Sequence, residues 1–304
     1  MRLDDFDKDI NVEDQRGQSF GGGGGGGLLL GLLPLIGSRF GCGGIVVVLL
    51  IFAVFGGLGN IGGLLTGGGS APSTQVSRNG AGSAGGGGAT AACSVDAATR
   101  STCNAFSSAE NTWERLFAQS GQQFQAPKLV FYGGQGMSGC GAASSAMGPF
   151  YCPSDQGVYI DTGFFDELVQ KYRAAGDFAQ YYVVAHEFGH HIQTLTGASE
   201  QVRQAQARGS REEGNALSVR LELQADCYAG VWAAQNRDRL EPGDIQEGMR
   251  AAEAIGDDTL QREAQGRVMP ESFTHGTSAQ RQAWLNRGLQ SGDPAVCDTF
   301  SGAI

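Results

Sequence analysis

The residues with the clearest chemical potential lie in Tyr181–His191, which reads Tyr-Tyr-Val-Val-Ala-His-Glu-Phe-Gly-His-His. His186 and His190 are four residues apart, one helical turn, so their rings face one side and can chelate a single metal ion. Neutral imidazole suits zinc. Glu187 stands beside the pair, where a carboxylate can take a proton from metal-bound water. His191 lies about 100° around the helix from His190 and is expected to pack or hydrogen-bond rather than to ligate.

Structural zinc sites use four protein ligands, whereas catalytic sites use three and keep a position for water. A third histidine six residues after His190 is excluded, because Thr196 stands there. The segment Leu221–Asp226 instead supplies Glu222 and Asp226, again one helical turn apart and in an otherwise apolar stretch. Burying two carboxylates there is costly unless positive charge or hydrogen bonds meet them, and zinc with its histidines meets that need. Glu222 is therefore the expected third ligand. Asp226 is expected to accept the remaining N–H of a ligating histidine and so fix its tautomer. The competing reading is a solvated acidic face. Gly189 on the first helix, and Ser218 and Ala229 beside Glu222, predict a close approach of the two helices. His275 is a candidate for stabilising an oxyanion; an exposed loop histidine is the plainer alternative. Arg281 is a candidate for the same task or for locking a carboxylate.

These residues need long helices, and the apolar spacing predicts them over Phe178–Leu195 and Asn215–Gln235. Further helices are expected over 104–120, 162–174, 245–255 and 278–288, and short strands over Lys128–Tyr132 and Gly157–Asp161. The second strand is the candidate edge for pairing with an extended substrate backbone. The class is α+β, mostly helical with a small sheet. The polar stretch between His190 and Glu222 is expected to cover the cleft.

The chain has 304 residues, enough for one sizeable catalytic domain and an appendage. Its net charge of −10 argues against nucleic acid as a partner. Residues 1–39 read as a disordered cytoplasmic tail: 1–18 are polar and of mixed charge, and 21–27 are all glycine. Residues 40–66 contain the apolar run Ile45–Phe55 and are long enough to span a bilayer once. Arg2, Lys8, Arg16 and Arg39 precede that run and only Arg78 closely follows it, so the positive-inside rule places the N-terminus in the cytoplasm and the rest outside. Residues 67–92, rich in Gly, Ser and Ala, read as a linker, and 93–304 as the catalytic domain.

Outside the cytoplasm thiols oxidise. Six cysteines follow the anchor, and their connectivity is open from sequence alone. Cys93 with Cys103 and Cys140 with Cys152 are sequence neighbours able to close short loops, which leaves Cys227 with Cys297. A buried free thiol at Cys227 is the alternative. Cys42, at the edge of the apolar run, is expected to stay unpaired.

Residues 140–161, 181–193, 219–233 and 274–288, together with the N-terminal anchor, make the chain resemble the neutral zinc metallopeptidase family of bacterial membrane proteins. The likeness covers most of residues 93–300. It implies a zincin-like domain, one zinc per chain held by His186, His190 and Glu222, Glu187 as the catalytic residue, and a peptide or protein substrate. The order of H-E-x-x-H, E-x-x-x-D and a later His275–Arg281 segment is similar to the wider gluzincin pattern. Two rivals stand beside this reading: a non-catalytic, zinc-stabilised binding module, and a zinc hydrolase of a non-peptide substrate.

Overall fold

A computed structural model describes residues 1–18 and 87–304 of the chain. The glycine run, the expected anchor at 40–66, Cys42 and most of the expected linker lie outside the described residues. Among the described residues no helix is long and apolar enough to cross a membrane.

A four-stranded sheet and a layer of helices share one core. Strand β1 (Val12–Asp14) pairs parallel with β2 (Lys128–Tyr132), which pairs parallel with β6 (Gly157–Asp161), which pairs antiparallel with β5 (Phe150–Cys152). A separate hairpin of β3 (Gln135–Ser138) and β4 (Gly141–Ser144) completes the strands. The helices are α1 (Gly87–Ala92), α2 (Ala97–Gln119), α3 (Gly163–Gln170), α4 (Asp177–Leu195), α5 (Ala198–Gln206), α6 (Arg211–Gln235), α7 (Asp244–Ala254), α8 (Asp257–Gln265) and α9 (Ser278–Ser291). The α+β class stands.

Helix starts are set by caps rather than by the apolar period. Asp96 accepts the Thr99 backbone N–H while Thr99 answers the Asp96 N–H, so α2 begins seven residues before the expected Asn104. Ser210 and Glu213 form the same reciprocal box and start α6 at Arg211 rather than Asn215. The polar stretch before α6 is folded as α5, entered through Gly197 in the left-handed region.

Three expectations are corrected. Residues 1–18 are not a disordered tail. Met1, Leu3, Ile10 and Val12 are buried in the main core. The Asn104 side-chain amide donates to the Leu3 carbonyl, and Asp7 accepts from Ser107 at 3.0 Å and Asn111 at 2.6 Å. The segment is too polar to fold alone, but it borrows a ready-made sheet edge. Each of its four buried apolar side chains gains up to about 1.5–3 kcal/mol there, against the entropy of ordering the backbone. Residues 87–92 are likewise helical rather than linker, with Ala89 and Ala92 buried. The third correction concerns the sheet edge: β6 lies between β2 and β5, so among the described residues the edge strands are β1 and β5, and β5 is the one that lines the cleft. Three residues are too short a run to show a strand period.

The sequence pairing of cysteines holds throughout: Cys93–Cys103, Cys140–Cys152 and Cys227–Cys297 are disulfides. The last ties α6 to the C-terminal turn, where the Gln224 side chain also donates to the Cys297 carbonyl at 3.0 Å.

One carboxylate at the junction of the N-terminal segment and α2 opposes the fold at neutral pH. Glu110 keeps a buried Oε2 without a hydrogen-bond partner. Burial, with Glu114 and Asp7 nearby, pushes its carboxyl up to about 7 from 4.5. The folded chain holds this proton more tightly than the unfolded one, so the contribution is full below pH 4.5 and is lost as pH rises through 7. Glu110→Gln is expected to stabilise by about 1–2 kcal/mol at pH 8, after a discount for partial solvation, and to be close to neutral at pH 4. Thermal unfolding at the two pH values reads the difference; an equal effect at both would refute the assignment.

Candidate metal centre and cleft

Helix α4 is buried on almost every side, so its polar residues at His186, Glu187 and His190 are held by packing. It crosses α6, and the crossing is close because Gly189 carries no side chain: a Cβ there would sit 3.0 Å from the Ala225 Cα. A second close crossing, of Gly230 and Gly288 on the facing backbones, holds α6 against α9. The predicted pair of helices and the predicted small-residue contact are both present.

The crossing brings His186, His190 and Glu222 together, with one ligand atom from each within 4.8 Å of the others. His186 Nε2 lies 3.2 Å and His190 Nε2 3.4 Å from the Glu222 carboxylate oxygens. The other ring nitrogens are already committed. His186 Nδ1 meets Asp226 Oδ1 at 2.8 Å, and His190 Nδ1 meets Gln193 Oε1 at 2.9 Å. Both partners accept, so each Nδ1 donates its proton away from the cluster and each Nε2 faces the Glu222 carboxylate, where it would be free to ligate an ion that displaces any proton there. Burial pulls the His186 imidazolium down, yet Asp226 and Glu222 push it up to about 10. Burial would raise the Glu222 carboxyl, but His190 and His186 hold it well below 4.5. The cluster thus attracts positive charge, and two imidazoles with one carboxylate are a donor set that fits zinc.

Asp226 is fully buried and saturated with donors. It accepts from Tyr182 Oη at 2.6 Å, from His186, and from Arg281 at 2.8 and 2.9 Å. Burial would raise its carboxyl; Arg281 and His186 keep it low. Arg281 is only 2% exposed and engages Asp226 with two nitrogens, so of its two expected tasks it performs the carboxylate lock. Tyr182 was not singled out in the sequence, although it lies four residues before His186 on the same helical face. Gln193, three residues after His190, carried the same spacing signal.

Above the cluster lies a cleft of about 900 Å³. Glu187, His275 and Arg281 line it together with the three clustered residues. Half of the His275 side chain is exposed, and its Nδ1 lies 3.2 Å from Asp257 Oδ1. The Asp257 hydrogen bond raises the His275 pKa, against the pull of burial. Asp257 also accepts the backbone N–H groups of Thr274, His275 and Gly276, and so shapes the loop that presents this ring. Nothing in the sequence around Asp257 signalled that role. Phe150 and Tyr151 of the edge strand β5, and Val202, Arg203 and Gln206 of α5, also line it. His191 is buried beneath β5. Its Nε2 faces the Gln125 carbonyl at 2.6 Å, so Nε2 carries the proton and Nδ1 accepts from Tyr151 Oη at 3.1 Å. It is a bridge between α4 and the edge strand, as its position off the ligand face implied.

The chain belongs to the family described as "Putative neutral zinc metallopeptidase", whose model matches residues 1–300. It is 54% identical over 211 residues to the Escherichia coli K12 protein printed as "Uncharacterized protein YpfJ", covering 69% of this chain and 74% of that one. It is 48% identical over 193 residues to "Uncharacterized protein Rv2575" of Mycobacterium tuberculosis H37Rv, covering 59% and 64%. No solved structure matches.

Proposed function

We propose that this chain is a zinc-dependent peptidase that hydrolyses peptide bonds in the cleft above α4, and that its catalytic body works outside the cytoplasm. The observation that carries the reading is the convergence of two imidazole Nε2 atoms and the Glu222 carboxylate on one point, with Glu187 on the same helix lining the cleft. His186, His190 and Glu222 would hold the ion. Zinc held there would supply a water of lowered pKa, about 7, and a Lewis acid for a carbonyl oxygen.

The chain's own residues supply the rest. Glu187 accepts the proton of the attacking water and passes it to the leaving amine. Asp226, with Arg281 and Tyr182 behind it, holds His186 in the tautomer that leaves Nε2 free. His275, oriented by Asp257, which favours its protonated form, donates to the oxygen that gains negative charge. The free edge of β5 offers backbone groups to an extended peptide. Three disulfides support the placement outside the cytoplasm.

The test is a mass-spectrometric digest of a peptide library by the zinc-loaded chain, by chelated chain, and by a His186→Ala, His190→Ala double variant. Wild type should bind close to one zinc per chain and cleave; the other two should not cleave, and the double variant should lose the metal. Full zinc in the double variant would overturn the ligand assignment. Zinc-loaded wild type that cleaves no peptide would sink the peptidase reading and favour a non-peptide hydrolase or a binding module.

A further inference from the structure

The N-terminal segment bears on how the chain meets a membrane. Strand β1 is joined to β2 by backbone pairing, Val12 to Leu129, Glu13 to Val130 and Asp14 to Phe131. The flanks extend it: the Leu129 N–H donates to the Asn11 carbonyl at 2.8 Å, and the Gln15 N–H to the Phe131 carbonyl at 2.7 Å. The Gln15 side chain also reads both backbone groups of Met137, donating to its carbonyl and accepting from its N–H at 2.9 Å each. Further back, the Arg2 N–H donates to the Arg239 carbonyl at 2.9 Å. Contacts of this kind tolerate no intervening lipid, because the hydrocarbon core is about 30 Å thick.

The chain also leaves and returns at one place. Arg16, two residues before Gln18, donates to the carbonyl of Ala92 at the end of α1. Residues 1–18 and 87–304 fall within one compact unit, and the family model includes the N-terminal segment.

We propose that residues 1–18 and 87–304 lie on the same side of the membrane. This replaces the expectation of one crossing with the N-terminus in the cytoplasm. That expectation drew on the basic residues before the apolar run, but the fold uses two of them. Arg16 is paired with Asp14 and lies over the Phe131 ring, 5.0 Å from its centroid, and Arg2 reaches the Asp238 carbonyl.

The test reads no activity, so it stands or falls apart from the peptidase proposal. Lys8→Cys and Arg208→Cys, both at exposed positions, are made singly in the full-length chain with Cys42→Ser, and intact spheroplasts are treated with a membrane-impermeant maleimide. Detergent-treated samples show that each thiol can react. Both sites labelling in intact cells is the expected result. Both protected would keep the same-side assignment and overturn the placement outside the cytoplasm. One site labelled and the other protected would overturn the proposal.

Discussion

Glu187→Gln is expected to lower turnover by about 10²–10⁴-fold while zinc content and thermal unfolding stay at the wild-type level. Glutamine keeps the shape of the side chain and removes its ability to take a proton. Glu187 is 8% exposed and lines the cleft, so the packing it makes is preserved by the substitution. It is not part of the three-residue ligand cluster, and none of the hydrogen bonds that align His186 and His190 run through it. Loss of activity together with metal would therefore indicate damage to the ligand set instead of loss of a base. The decisive measurement is kcat on a peptide recovered from the library digest, with metal analysis on the same sample. Turnover near wild type would remove Glu187 from the mechanism.

What the sequence made legible is what periodicity encodes. His186, His190, Glu222 and Asp226 each announce a helical face, and two such faces with small residues between them imply a crossing. The cysteine pairs were readable because short loops close easily and the remainder followed. Features that depend on tertiary context were hidden. Asp257 shapes the His275 loop through three backbone N–H groups, a task for which any suitably placed carboxylate would serve. β6 is interior only because the three residues of β5 pair along its other side. The N-terminal segment looked unfoldable because composition measures a free chain, whereas Ile10 and Val12 pack on a sheet that the rest of the molecule builds.

Arg281→Met is expected to destabilise the fold by about 3–5 kcal/mol, more than the loss of any exposed ion pair. The substitution preserves much of the volume and leaves Asp226 at 0% exposure without its counter-charge. Tyr182 and His186 still donate to Asp226, but neither supplies the two-nitrogen pairing that Arg281 gives. The deficit should depend on pH. In the wild type the Asp226 carboxyl is held below 3.8, so its contribution is present above that value and is lost as pH falls through the lower folded value. Without Arg281, burial raises the same carboxyl, and a protonated Asp226 no longer needs a cation; the gap between variant and wild type should narrow from pH 8 toward pH 4. Adding Asp226→Asn to Arg281→Met should recover much of the stability, because a neutral amide leaves no buried charge and its oxygen still accepts from His186. Zinc affinity in that double variant should stay about 10–100-fold low, since the amide is a weaker acceptor than the carboxylate that orients the ligand. Denaturant unfolding with the disulfides intact and zinc held at fixed excess measures the first effect, and competitive metal titration the second. A single variant as stable as wild type at neutral pH would show that Arg281 is not the counter-charge on which Asp226 depends.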